Sequence, residues 1–362
     1  MSSRDPWLDN AKLLLVVLVV VGHGWTVLPA DGVAARPYDF LYAWHMPAFV
    51  FVTGYLSRTF DYSRGRMWRL VRTVLVPYLL FEAAMALFRV HVGGEKLEDL
   101  FADPHWPMWF LAALFFWRLL TPLFRAMPGG LAVAVLLSLG AGLWAGDTLD
   151  LARVLGLLPF FVLGLKATPE RLEWLRGRVP AAIGVAVLAG IWLLSAYTDR
   201  WASTEWLYYR AQYDEFAVSD TRAAVTRLVI IAIGVAGTCA FLALVPRRTT
   251  WFTGMGAATL VVYLFHGFAV KGLEYAGYTA WSAEHPWLGF VLVTAGGLSL
   301  SFLLAWRPVA SRLERVVDPF GAAERKMKEA VALTVVAEEP GSLPPMTAGA
   351  AGHAGAVGEV AR

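Results

Sequence analysis

One cysteine in 362 residues, Cys239, excludes an intramolecular disulfide and any metal centre built on several thiolates. Charge is scarce as well, at 16% of the chain, less than a soluble protein of this length ordinarily needs to cover its surface. No repeat of fixed period is visible, which disfavours a solenoid and gives no support to a transporter built from similar halves. A basic face for nucleic acid is missing too. The formal net charge is only +3, and the basic residues stand in short clusters between apolar blocks. No metal and no nucleic acid are expected.

What is present is apolar. Hydrophobic residues make up 58% of the chain and fall in repeated long blocks, the pattern of an all-α, polytopic membrane helical bundle with the lipid bilayer as its partner. About ten transmembrane helices are expected, at 13–28, 40–56, 74–88, 108–124, 131–145, 151–165, 180–197, 223–245, 257–275 and 287–306. The first block loosely resembles a cleavable signal peptide, but no soluble domain follows it, so it reads as a retained span. Basic charge alternates between connecting segments. Arg4 with Lys12, the run Arg58 to Arg72, Arg125, Lys166 to Arg178, Arg247 with Arg248 and Arg307 to Arg315 form the richer set, which predicts both termini on the cytoplasmic side. Residues 1–320 form the expected membrane domain. Residues 321–362, mostly Ala, Gly, Pro and Glu toward the end, read as a disordered cytoplasmic tail.

Chemistry in such a chain must come from its few ionisable residues, which are costly against lipid and usually face a bundle interior or cavity. Lys12 and His23 are the clearest pair. Eleven residues at about 100° each make about three full turns, so both side chains share one helix face, roughly 17 Å apart along the axis. An imidazole about five residues below the outer end of the first span can take a proton from a hydroxyl. A histidine that merely pins two helices together is the competing reading; Gly22 and Gly24 beside His23, which permit a close approach, tell against it. His45 lies at a similar depth on the second span, above Pro47, which is expected to free a backbone carbonyl and open the helix locally, and two imidazoles from neighbouring helices can meet one acceptor hydroxyl. Purely structural packing remains the alternative for His45. At the cytoplasmic start of the third span, Arg69 and Arg72 lie about one turn apart, where paired guanidiniums can clamp phosphate oxygens. Positive-inside anchoring explains either one alone. Glu82, Arg118 and His266 sit deep enough to line a cavity, whereas Arg89, Arg227, Lys271 and Glu274 fall near the outer ends, within reach of water. The external loop 198–222 carries Trp201, Trp206, Tyr208, Tyr209 and Tyr213 among five acidic residues, a composition that suits either a sugar or an interfacial aromatic belt.

These motifs together resemble the acyltransferase-3 family of membrane acyltransferases. The stretch Asp9-Asn10-Ala11-Lys12 through Val21-Gly22-His23 is similar to the family's opening motif. His45-Met46-Pro47-Ala48-Phe49 through Gly54-Tyr55-Leu56-Ser57 is similar to its second-span motif, closest to the fucose 4-O-acetylase-like branch, in which serine is more usual at the position of Thr53. Arg69-Leu70-Val71-Arg72, Trp109-Phe110-Leu111 with Arg118, and Tyr263-Leu264-Phe265-His266 resemble its later motifs, so the likeness runs from about Asp9 to Trp306. The resemblance implies an inner-membrane, multi-pass enzyme that moves an acyl group, usually acetyl, from cytoplasmic acetyl-CoA to a hydroxyl of a sugar or cell-surface glycan. It implies that His23 is catalytic and that Lys12, Arg69 and Arg72 serve the donor. Some relatives carry an extra soluble domain for the acceptor, which is not seen in this chain.

The residues and the resemblance converge on His23 and His45 as catalytic, on Lys12, Arg69 and Arg72 at the acyl-CoA, and on Glu82, Arg118 and His266 at the substrate. Direct transfer, with His23 as general base, and a transient acetyl-His23 both stay open. The rival from another class is a proton-coupled transporter of a sugar or lipid-linked glycan, in which the same histidines relay protons. Acceptor identity, acyl length and oligomeric state are not readable from the residues.

Overall fold

The computed structural model describes residues 5–96, 103–146, 148–321 and 323, and among them every regular element is a helix. The compact unit Met1–Pro319 holds everything discussed below. Arg4 lies outside the described residues, and so does the tail expected over 321–362, apart from Gly321 and Ala323.

Helix α1 (Pro6–Trp25) starts where the Asp5 side chain accepts the Trp7 amide at 3.0 Å and Pro6, which has no N–H to satisfy, takes the first position. The expected second span is broken into α2 (Ala35–Tyr42) and α3 (His45–Ser57). The break falls at Ala43 and Trp44, and Pro47 occupies the first turn of α3, where its ring fits without loss of a hydrogen bond. The opening expected below His45 therefore lies just before it. Helix α4 (Arg64–Leu70), a π turn (Val71–Leu75) and α5 (Val76–Gly93) run on as one 30-residue helix, with Arg72 inside the π turn.

Next come α6 (Trp109–Ala126), α7 (Gly130–Trp144), and the pair α8 (Leu151–Gly156) and α9 (Leu158–Lys166), bent by 53° where Leu157 precedes Pro159. A short α10 (Pro169–Leu175), capped by Thr168, leads into α11 (Arg178–Ser195). The aromatic loop folds as α12 (Thr198–Trp201), α13 (Thr204–Leu207) and a 3-10 turn (Tyr213–Phe216). The chain closes with α14 (Asp220–Leu244), α15 (Thr259–Tyr275), α16 (Tyr278–Glu284), α17 (Pro286–Ala305) and α18 (Arg307–Val317).

Six of these runs are long and apolar enough to cross a membrane, or seven with the bent α8–α9 pair. The other expected spans fall on the broken α2–α3 pair, the 15-residue α7 and the 17-residue α15. Large apolar side chains such as Leu136, Val179, Leu193 and Val291 point outward, as they do where the surrounding medium is hydrocarbon. Helix α1 is the opposite case. It is buried along most of its length and packs against α3, α15 and α17, which is why its three ionisable side chains, Asp9, Lys12 and His23, meet protein rather than lipid.

Without water to drive helices together inside a bilayer, close packing has to do so, and small residues permit it. The tightest contact joins α3 and α9 through a reciprocal glycine pair. A Cβ added at Gly54 would lie 2.1 Å from the Phe161 carbonyl oxygen, and one at Gly164 would lie 2.0 Å from that of Phe51. Backbone cannot yield as a side chain does, so either Gly54→Ala or Gly164→Ala should push the helices apart and cost about 1–3 kcal/mol. Thermal unfolding in detergent should show a lowered midpoint for both and none for Gly65→Ala, where no atom lies within 4 Å of the added carbon.

Candidate active site

Helix α1 brings His23, and α15 brings His266, to a hydrogen bond of 2.8 Å between His23 Nδ1 and His266 Nε2. On its other side the His266 ring meets the Tyr263 carbonyl oxygen, one turn back on α15, at 2.6 Å from Nδ1. A carbonyl only accepts, so the proton on Nδ1 of His266 is assigned. With one proton per ring, Nε2 of His266 must then accept and Nδ1 of His23 must donate. The chain of donors thus runs one way, and Nε2 of His23 is left with its lone pair. The Trp106 ring covers His23, with centroids 4.4 Å apart and planes tilted by 54°.

His23 lines a cavity of about 440 Å³ whose wall is aromatic: Trp106, Trp109, Tyr38, Tyr42 and Tyr208 among others. Tyr38 stacks on Tyr42 with centroids 4.1 Å apart, and Tyr208 donates its hydroxyl proton to the Tyr38 oxygen at 2.8 Å. Cations in this wall are matched. Arg153 Nη1 sits 2.7 Å from Asp150 and its guanidinium 4.9 Å from the Trp109 ring centre, while Lys271 lies 2.9 Å from Glu274. A second cavity of about 250 Å³ lies toward the Lys12 end of α1. Its wall is largely apolar, with Lys12 and Arg118 as the charged members and Thr53, Thr73, Thr259 and Tyr263 as the hydroxyl-bearing ones. Lys12 is tethered to Asp9 at 2.8 Å, whereas Arg118 makes no ion pair or hydrogen bond among the described residues. Phe49, Phe110 and Tyr263 belong to both walls, so the two cavities adjoin across these three rings.

The other expected site residues are distributed unevenly. His45 donates from Nδ1 to the Leu41 carbonyl at 2.8 Å, stands edge-on to Tyr42, and keeps a buried Nε2 with no hydrogen bond among the described residues; it is not part of the cavity wall. Glu82 is fully buried behind the wall. Its Oε1 accepts the His105 backbone amide at 2.8 Å and lies 2.5 Å from His105 Nδ1, so it anchors the segment that carries Trp106. Arg69 is exposed, close enough to Arg118 for the two cations to repel, and Arg72 is 3.4 Å from Asp318 just beyond α18. Of the aromatic loop, Leu207 and Tyr208 reach the cavity, while Trp206 stacks on Phe216. Arg227, expected near water, is 1% exposed and lies between the Tyr209 and Tyr213 rings.

Reasoning from sequence missed Trp106, Arg153, Tyr38, Tyr42 and the pinching rings of Phe49 and Phe110. Trp106 lies in the loop before α6, where no helical period marks it. Tyr38 and Tyr42 are four apart on α2, a spacing that signals a shared face but not what the face meets.

Residues 5–306 match the profile of the acyltransferase-3 domain family, described simply as an acyltransferase domain, and the chain belongs to that family. It is therefore a membrane acyltransferase, of a family that commonly acetylates sugars. No curated protein and no solved structure matches the chain.

Glu82→Ala would strip the His105 amide and ring N–H of their buried acceptor. A loss of about 1–3 kcal/mol is expected, visible as a lowered unfolding midpoint in detergent. Glu82→Gln, which keeps a carbonyl oxygen there, should recover part of it.

Proposed function

We propose that the protein is an O-acetyltransferase of the cell membrane that takes acetyl from cytoplasmic acetyl-CoA and places it on a hydroxyl of a sugar or cell-surface glycan, with His23 as general base. The observation that carries this reading is the one-way hydrogen-bond chain from His23 through His266 to the Tyr263 carbonyl, which leaves a basic nitrogen on a ring lining an aromatic cavity. Aromatic walls accept the C–H face of a sugar ring, and the paired charges around them suit a neutral, hydroxyl-rich ligand.

In this mechanism the acceptor hydroxyl gives its proton to Nε2 of His23 as its oxygen attacks the thioester carbon. The imidazolium that forms keeps its Nδ1–H on His266, which shares the developing charge. Collapse of the tetrahedral species breaks the C–S bond, and the thiolate takes the proton from His23. The donor belongs on the Lys12 side, with the cytoplasm at that end. Lys12 and Arg118 line the cavity there, Arg69 stands near Arg118, and an unmatched guanidinium in a partly apolar wall is ready for an anionic or carbonyl group of acetyl-CoA. Arg72 holds Asp318 at the same end and would reach the nucleotide phosphates only by exchanging that partner. Membership of an acyltransferase family favours this enzyme over the sugar transporter that the histidines alone also allow.

Membranes supplied with acetyl-labelled acetyl-CoA should pass label to a glycan fraction. His23→Ala should cut that transfer by about a hundredfold or more at unchanged membrane level, and His266→Ala, which removes the acceptor of the Nδ1 proton, by a smaller factor. Transfer retained in His23→Ala would remove the imidazole from the mechanism.

A further inference from the structure

The proposed activity leaves a difficulty. A basic imidazole beside a thioester activates water as readily as it activates a sugar, and a cavity wide enough for a sugar admits water. In the structure three rings stand between the two. Phe49 and Phe110 meet edge to face with centroids 5.0 Å apart, and Phe110 and Tyr263 are 5.8 Å apart, each ring forming wall in both cavities. We propose that Phe49, Phe110 and Tyr263 form a gate that keeps the acetyl thioester in the inner cavity, away from His23 and outer water, until an acceptor is seated; these residues set the choice between acyl transfer and hydrolysis. The inference rests on the acetyl-CoA reading above.

The gate has a connection to the acceptor side. The Tyr263 hydroxyl donates to the backbone carbonyl of Pro107, and Pro107 follows Trp106, the ring that covers His23 and lines the outer cavity. A ligand stacking on Trp106 would press on the segment that holds the Tyr263 hydroxyl. The same tyrosine presents its carbonyl to His266. One residue therefore touches the barrier, the acceptor wall and the proton chain, and displacing its side chain need not disturb its carbonyl, which is fixed within α15.

An open gate without acceptor gives a defined side reaction. Water oxygen bonds to the acetyl carbon, the C–S bond breaks, one water proton passes through His23 to the sulfur, and acetate with a second proton is released: acetyl-CoA and water give acetate and CoA. This reaction needs no acceptor, so it can be measured on the purified full-length protein in lipid nanodiscs, by release of free CoA thiol from acetyl-CoA. Phe49→Ala and Phe110→Ala should raise the rate over wild type by about tenfold or more, the loss of only one decade of barrier. Tyr263→Phe, which keeps the ring and loses the hydroxyl latch, should also raise it. Combining any of these with His23→Ala should return it to background. Phe49→Leu and Phe110→Leu, which keep the wall apolar and filled, guard against misfolding of the alanine variants and should leak to an intermediate degree. CoA release at the wild-type rate in all the variants, with labelled acetyl-CoA still bound, would overturn the gate alone. A wild type that binds no acetyl-CoA would overturn the underlying donor reading and the gate with it.

Discussion

The hydrogen bond between His23 and His266 is the contact on which the site depends. It joins two residues 243 positions apart in the chain, and it decides which nitrogen of His23 keeps a lone pair. Its direction is imposed by a backbone carbonyl, the one partner in the chain whose role cannot be reversed. Because α1 and α15 are both packed in the interior, neither ring can turn to lipid without losing the other. The burial of α1, the glycine-tight pairing of α3 with α9 and the Glu82 anchor under His105 all hold the surroundings of that one bond in place.

What was legible in the sequence was whatever a single helix determines. Lys12 and His23 share a face because they share a helix, and the structure places each in the wall of a cavity, one at either end of the same stripe. All-helical architecture and the apolar blocks were equally plain. Contacts between helices were not. Nothing in the spacing of His266 says that its ring meets His23, and a deep histidine was therefore read as a substrate ligand. Glu82 was read the same way for the same reason: a buried carboxylate needs a partner, but the partner, the His105 amide and ring, lies in a loop with no periodic signal. The break at Ala43 and Trp44 was misplaced by assigning the irregularity to Pro47, which in the first turn of a helix causes none.

The bent and broken helices are not scattered at random around the bundle. The α2–α3 break falls beside Tyr42 and His45, the π turn contains Arg72, and the bend between α8 and α9 falls at Leu157, which lines the cavity of His23. Backbone freed from regular helix within a membrane is tolerated where protein or a cavity can satisfy it. The irregular points thus trace the interior path more faithfully than the apolar blocks do, since those blocks report mainly what faces lipid.

Charge matching separates the two ends of that path. Around the aromatic cavity Arg153 is held by Asp150 and Lys271 by Glu274, so an incoming group finds dipoles and ring faces but little net field. At the Lys12 end the balance differs: Asp9 offsets Lys12, but Arg118 has no counter-charge among the described residues and Arg69 adds a second cation nearby. A guanidinium left unmatched in a partly apolar wall is costly, and that cost is relieved when an anion or a polarised carbonyl arrives. Under the proposed reaction, that difference favours an anionic donor at one mouth and a neutral, hydroxylated acceptor at the other. The asymmetry of the charges, rather than the shape of either cavity, gives the path its direction, because two apolar-walled chambers of similar chemistry would admit either substrate from either side.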